Sequence, residues 1–171
     1  MEDRLKQTAS LLQTMRPEDW HQIPDIDLYM DQIIAFMKRQ HIGLAAEGDE
    51  SLTPAMINNY IKSGLLPRAH GKRYDREHIG YLTAICLLKQ VLSVKESGVL
   101  LGSVMQNESI EAFYRDYCGI VDETYTEVAS KLEGTEQKEE RAALALRLAV
   151  ESYADMLACK ALVASLNEEG E

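Results

Sequence analysis

Residues 53–74, TPAMINNYIKSGLLPRAHGKRY, constrain the fold more than any other stretch of this chain. Thr53 is a good helix N-cap and Pro54 suits the first helical position, where a missing N–H costs nothing. Gly64 is a natural stop, because glycine takes the left-handed backbone that closes a helix. The pattern predicts a helix over 54–63, then a Leu-Leu-Pro turn, then a short basic loop closing at Tyr74. Ile57, Tyr60 and Ile61 fall at i, i+3 and i+4 and form an inward stripe. Ala55, Asn58, Asn59 and Lys62 form the opposite face. Arg68, His70, Lys72, Arg73 and Arg76 follow within nine residues, interrupted by the acid Asp75.

Charge makes this block stand out. The 171 residues carry a net charge of −10. Residues 1–52 contribute −5 and residues 93–171 contribute −9, whereas 53–92 carry +4. Only the middle block can attract phosphate, and the acidic flanks oppose a nucleic acid unless they point away from it. An asparagine amide can pair with both edge groups of adenine, and a lysine can reach guanine or phosphate. A compact loop of arginine and lysine suits backbone phosphates. A solvated polar face and a solvated basic loop are the plainer alternatives for each part. The conjunction of the two is more specific than either.

The rest of the chain reads as helix. Leu5, Ala9, Leu12 and Met15 suggest a short amphipathic helix over 2–15. Ile23-Pro24-Asp25 is extended, because the residue before proline avoids the helical region. Asp25 or Asp27 then caps a helix of about 26–40. Residues 43–52 read as an acidic loop. Asp75 opens a further helix whose apolar residues Ile79, Leu82, Ile85 and Leu88 recur every three positions. Ser93 and Glu96 form a capping box for a short helix to about Leu101. Gly102 and Asn107 mark a joint. Two long patterns follow, about 108–132 and 136–166, separated by Gly134-Thr135. A short turn between long helices predicts an antiparallel hairpin, and the second helix is apolar enough to be packed on more than one side.

The 46% apolar content supports a real core. The first residues, MEDRLKQTAS, hold no long apolar run, so no signal peptide is expected. No stretch reaches the roughly 18 apolar residues of a membrane span. Cys86, Cys118 and Cys159 are far apart, in apolar helical surroundings, and form no local metal or redox motif. A cytoplasmic protein is expected. No catalytic motif, cofactor signature or metal motif emerges, and no enzyme activity is expected. His41 with Glu47, Asp49 and Glu50 is weighed as a metal site against a solvated loop, which the composition favours. Tyr114, Tyr117, Tyr125 and Asp116 are weighed as a small-molecule pocket against a helix–helix seam, which is favoured.

Segment 56–101 resembles the DNA-binding part of MerR-type regulators. Their recognition helix and exit run as Thr-Ile-Arg-Tyr-Tyr-Glu-x-x-Gly-Leu-Leu-x-Pro. Met56-Ile57-Asn58-Asn59-Tyr60-Ile61-Lys62-Ser63-Gly64-Leu65-Leu66 follows that pattern without a gap. Lys72-Arg73-Tyr74 matches the Arg-x-Tyr that closes their wing, and Ser93-Val94-Lys95-Glu96 matches the start of their next helix. The resemblance covers about a quarter of the chain. The whole chain also resembles a bacterial domain-of-unknown-function family with such a core, through Ile23-Pro24-Asp25-Ile26 and Thr53-Pro54. Asn58 and Asn59 stand where MerR proteins have Arg and Tyr. The wing is a few residues short, about 25 extra residues precede the first helix of the helix-turn-helix, the loop 41–52 replaces the tight turn between its two helices, and the dimerising helix is replaced by the acidic hairpin. Twofold spacing and effector sensing are therefore not carried over.

The expected architecture is all-α. It comprises an N-terminal helix and arm (1–22), a winged helix-turn-helix core with a minimal β-wing (23–101), and a helical hairpin (105–167). The expected function is sequence-specific duplex DNA binding in transcriptional regulation. Thr53, Asn58, Asn59 and Lys62 would lead into the major groove, and Arg68, Lys72, Arg73 and Arg76 would hold the backbone. The hairpin would form a homodimer, placing two heads on two half-sites. The alternatives are a protein–protein adaptor working through the hairpin and a small-molecule sensor. The effector, the DNA site and the sign of regulation are not encoded in any motif.

Overall fold

The structure, a computed structural model, describes residues 2–40, 52–135 and 137–168. Seven helices make up most of it: α1 (Glu2–Thr14), α2 (Met30–Arg39), α3 (Pro54–Lys62), α4 (Arg76–Leu88), α5 (Val94–Val104), α6 (Ile110–Glu133) and α7 (Lys138–Glu168). Among the described residues the only β pairing is two isolated bridges. The chain divides into two compact units. One spans 15–121, and the other joins α1 to residues 122–171. The division falls inside α6 rather than at the start of the hairpin. The acidic loop 43–51 and the group at His41, Glu47, Asp49 and Glu50 lie outside the described residues.

In the larger unit the core is built from one stripe per helix. Ile33 of α2, Ile57 of α3, and Ile79, Leu82 and Ile85 of α4 are fully buried. Caps read from the sequence form as expected where they are local. The Asp75 carboxylate accepts the His78 N–H at 3.2 Å. The Ser93 hydroxyl accepts the Glu96 N–H, and Glu96 accepts the Ser93 N–H at 2.7 Å.

Two boundaries move. α2 begins at Met30, not near residue 26, and its N-cap is Tyr29 rather than Asp25 or Asp27. Leu28 is held extended by two main-chain hydrogen bonds to Tyr74, so no helix can start before it. The Gln32 side chain accepts the Tyr29 N–H at 2.8 Å, completing the cap. α5 runs through Gly102 to Val104, because glycine stops a helix only when its backbone turns left-handed. Among described glycines only Gly64 and Gly71 do so.

Residues 16–23 are lashed into the larger unit. The Arg16 guanidinium donates to the Val121 carbonyl at 2.9 Å. The Glu18 N–H donates to the Gln40 side chain at 2.8 Å. The buried Tyr114 hydroxyl donates to the Glu18 carbonyl at 2.7 Å, and its ring lies 5.5 Å from that of Trp20. Trp20 reaches α4 because position 80 has no side chain. A Cβ there would stand 3.0 Å from Trp20 Cζ3 and 3.3 Å from Ile110 Cγ1. Tyr114 and Tyr117 belong to this packing, with Tyr117 reaching the Thr83 carbonyl, so they form a helix–helix seam.

In the smaller unit Ala9, Ala129 and Val163 are buried. The Gln13 amide of α1 donates to Glu133 of α6 at 3.0 Å. Among the described residues no helix is long and apolar enough to cross a membrane.

Two measurements test this packing. Gly80→Val should lower stability by about 1–3 kcal/mol, through overpacking against Trp20, in urea denaturation. Burial pushes the Tyr114 hydroxyl well above the ordinary tyrosine value of 10.0. The folded state therefore favours the neutral phenol. Its contribution is fully present below pH 10 and is lost as pH rises beyond it, at up to about 1.4 kcal/mol per pH unit. Tyr114→Phe should cost about 1–2 kcal/mol at neutral pH and make the alkaline loss shallower.

Candidate nucleic-acid interface

α3 is anchored on one side and open on the other. Ile57 and Tyr60 are buried, while Ala55, Asn58, Asn59 and Lys62 are exposed. The Thr53 hydroxyl accepts the Met56 N–H at 3.2 Å, which makes Thr53 the cap of this helix although it is exposed. The helix ends at Gly64, whose φ is 76°. That turn sends the N–H groups of Leu65 and Leu66 back to the Tyr60 carbonyl, at 2.9 and 3.1 Å. Both leucines are buried, so the exit of α3 is fixed by burial as well as by hydrogen bonds.

The basic loop then closes on itself. His70 and Arg73 exchange two main-chain hydrogen bonds, each 3.0 Å long. The two residues between them, Gly71 and Lys72, have φ of 58° and 64°. Two consecutive left-handed residues define the tight turn that matches the twist of a β-hairpin. Lys72 is the only described non-glycine residue with positive φ. The hairpin geometry imposes that conformation and carries the lysine to the tip.

A buried histidine supports the hairpin from beneath. His78 Nδ1 lies 2.7 Å from an Asp75 carboxylate oxygen, and Nε2 lies 3.3 Å from the Arg68 carbonyl. The Tyr74 ring meets it edge-on at 5.3 Å and the His70 ring at 6.0 Å. Burial works to raise the Asp75 pKa, but hydrogen bonds and charge from His78 outweigh it and hold the carboxyl below its usual range.

The cations named from the sequence divide into two sets. Lys62, Arg68, Lys72 and Arg73 are exposed. Arg73 donates to the Tyr29 hydroxyl at 3.2 Å, with its guanidinium 5.2 Å from that ring's centre. Tyr29 is itself half exposed, so the guanidinium is steadied at the surface. Arg76 is different. Its side chain is 21% exposed, donates to the Ile23 carbonyl at 2.9 Å and approaches Asp25 at 4.0 Å. It also lies 5.8 Å from the Trp20 ring centre. Arg76 ties α4 to the segment before α2.

Tyr29 and His78 were not among the sequence candidates. Tyr29 is 44 residues from Arg73, and no local pattern links them. His78 carried a weak signal, as the third residue after the Asp75 cap. Cys86 is buried, Cys118 and Cys159 are half buried, and none of the three forms a disulfide. Among the described residues no cluster of three His, Cys, Asp or Glu could hold a metal ion.

The model of a domain-of-unknown-function family, DUF1836, matches residues 18–117, more than half of the 171 residues. The chain belongs to that family. The match spans all of α2 through α5, the hairpin and the first turns of α6. No curated protein and no solved structure matches the chain.

Substitution at the turn separates conformation from charge. Lys72→Gly should keep stability unchanged or raise it by up to about 1 kcal/mol, since glycine occupies the left-handed region freely. Lys72→Val should lower it by about 1–2 kcal/mol. Thermal unfolding of both variants beside the unaltered chain checks this.

Proposed function

We propose that this protein reads duplex DNA as a transcriptional regulator, using a MerR-like winged helix-turn-helix core. The observation that carries the reading is the juxtaposition along 53–74. A helix with its apolar side buried exposes Asn58, Asn59 and Lys62, and runs directly into a closed two-residue hairpin bearing Lys72 and Arg73. α3 enters the major groove, where the asparagine amides address adenine and Lys62 addresses guanine or phosphate. Arg68, Lys72 and Arg73 hold the backbone. Thr53 starts the helix and presents its N-terminal N–H groups, which suit a phosphate. Arg76, bound internally, positions the hairpin's helix rather than contacting DNA. The +4 charge of 53–92 supports this reading within an acidic chain.

The runner-up, an adaptor on the same fold, draws on the apolar outer face of α7 and has the basic hairpin meet an acidic protein. It predicts no retention of duplex.

Titration of random-sequence duplex pools at several salt concentrations tests the proposal. A selected sequence should emerge, with affinity falling steeply as salt rises. Lys72→Gly with Arg73→Gln should reduce the log–log salt slope by about 2, as two phosphate contacts are lost at about 0.9 each. Asn58→Ala should relax sequence preference by about 1–3 kcal/mol while leaving that slope alone. Absence of any retained duplex at low salt sinks the reading.

A further inference from the structure

α7 is 31 residues long and has two apolar sides. Leu144, Leu148, Val163 and Leu166 turn inward, buried or half buried. The opposite side is open to solvent. Leu146 and Val150 there are 69% and 61% exposed, and Tyr153 and Leu157 are 61% and 49% exposed. They recur at intervals of four, three and four, which is the spacing of a helix–helix seam. Exposed alanines run along both margins of this seam. The nearby charges stand off it. Arg147 lies about a quarter-turn away, at about 100° per residue, and pairs with Glu151 at 3.7 Å. Glu151 and Asp155 lie farther round still. A continuous apolar strip of this kind marks an interaction surface.

Its sequence also names the occupant. Read outward from the Glu151–Ser152 bond, the exposed face mirrors itself. Leu146 mirrors Leu157, and Val150 mirrors Tyr153. Alanine mirrors alanine at 149 and 154, at 145 and 158, and at 142 and 161. A twofold contact requires that residue i face residue j of the other copy while j faces i. The face is therefore self-complementary: turned on its own copy, it brings apolar residue to apolar residue and alanine to alanine. We propose that α7 pairs with α7 of a second copy, antiparallel, about a twofold axis level with the Glu151–Ser152 bond.

In that pairing Leu146 packs on Leu157 of the second copy, and Val150 packs beside Tyr153, so a ring fills the space next to a smaller side chain. With Leu146, Val150, Tyr153 and Leu157 at the centre, the axes stand about 10 Å apart, the far end of the range for helix packing, and the alanine margins keep the flanks clear. The paired strip runs about 30 Å, from 20 residues at about 1.5 Å each. Lys160, half buried, comes opposite Ala143 near the end of the strip, where its stem can lie along the seam with the amine in water. The pairing is independent of whether the chain binds DNA, and its test uses none.

Light scattering on the full chain at roughly 200 µM, above the micromolar Kd that a small interface gives, should report a mass near twice 19.3 kDa. Ala149→Glu and Val150→Glu each place a charge in the seam and should return a monomer. Both positions are exposed in the single chain, so circular dichroism should show the helix content unchanged. Oxidative crosslinking sets the direction, with the unaltered chain as background for its own thiols. Val150→Cys should crosslink to itself, being close to the axis. Leu146→Cys and Leu157→Cys should each fail alone and crosslink when mixed. A monomeric unaltered chain would falsify the pairing, and so would a dimer that survives both glutamates. Self-crosslinking by Leu146→Cys would overturn the antiparallel register.

Discussion

The two main-chain hydrogen bonds between Leu28 and Tyr74 hold together most of what matters in the larger unit. They join a segment that precedes α2 to the exit of the basic hairpin. Because Leu28 is extended, α2 cannot start until Met30, and Tyr29 becomes its cap. Because Tyr29 follows Leu28, its ring comes beside Arg73. Because Tyr74 is pinned and buried, Asp75 is placed to cap α4 and to meet His78. A single short pairing therefore sets the start of one helix, the start of another and the posture of a surface arginine.

The cations of the larger unit before α5 include two contrasting sets. Arg16 and Arg76 spend their guanidinium groups on main-chain carbonyls, Val121 and Ile23, where they secure irregular segments that lack a ladder of their own. Lys62, Arg68, Lys72 and Arg73 stay at the surface. Sequence position does not tell these sets apart, since Arg73 and Arg76 are three residues from each other. Helix geometry does. Arg76 opens α4 and faces Trp20 and Ile23, whereas Arg73 closes a hairpin whose residues 70–73 are exposed.

Much of the fold was legible because its signals are short-range. Thr53 with Pro54, Asp75, and Ser93 with Glu96 each satisfy backbone groups within three residues, so neighbours suffice to read them. Gly64 was legible as a stop for the same reason. Gly102 was not, because nothing in its neighbours distinguishes a helical glycine from a left-handed one. The start of α2 was misplaced because the competing partner, Tyr74, is remote. The candidate surface was partly legible. Its exposed residues follow from helical periodicity, but the internal commitment of Arg76 and the support from Tyr29 and His78 arise from contacts that no periodicity encodes.

The sequence by itself determined which segments are helical, where α3, α4 and α5 are capped, that a short basic loop follows α3, and that net positive charge is confined to one block. These follow from propensities, caps and charge, all local properties of the chain. Only the tertiary structure decided which arginines are surface groups, how closely Trp20 and Ile110 crowd position 80, and which side of α7 is exposed. Those depend on packing between residues far apart in the chain, where burial selects one arrangement among many that the local signals permit.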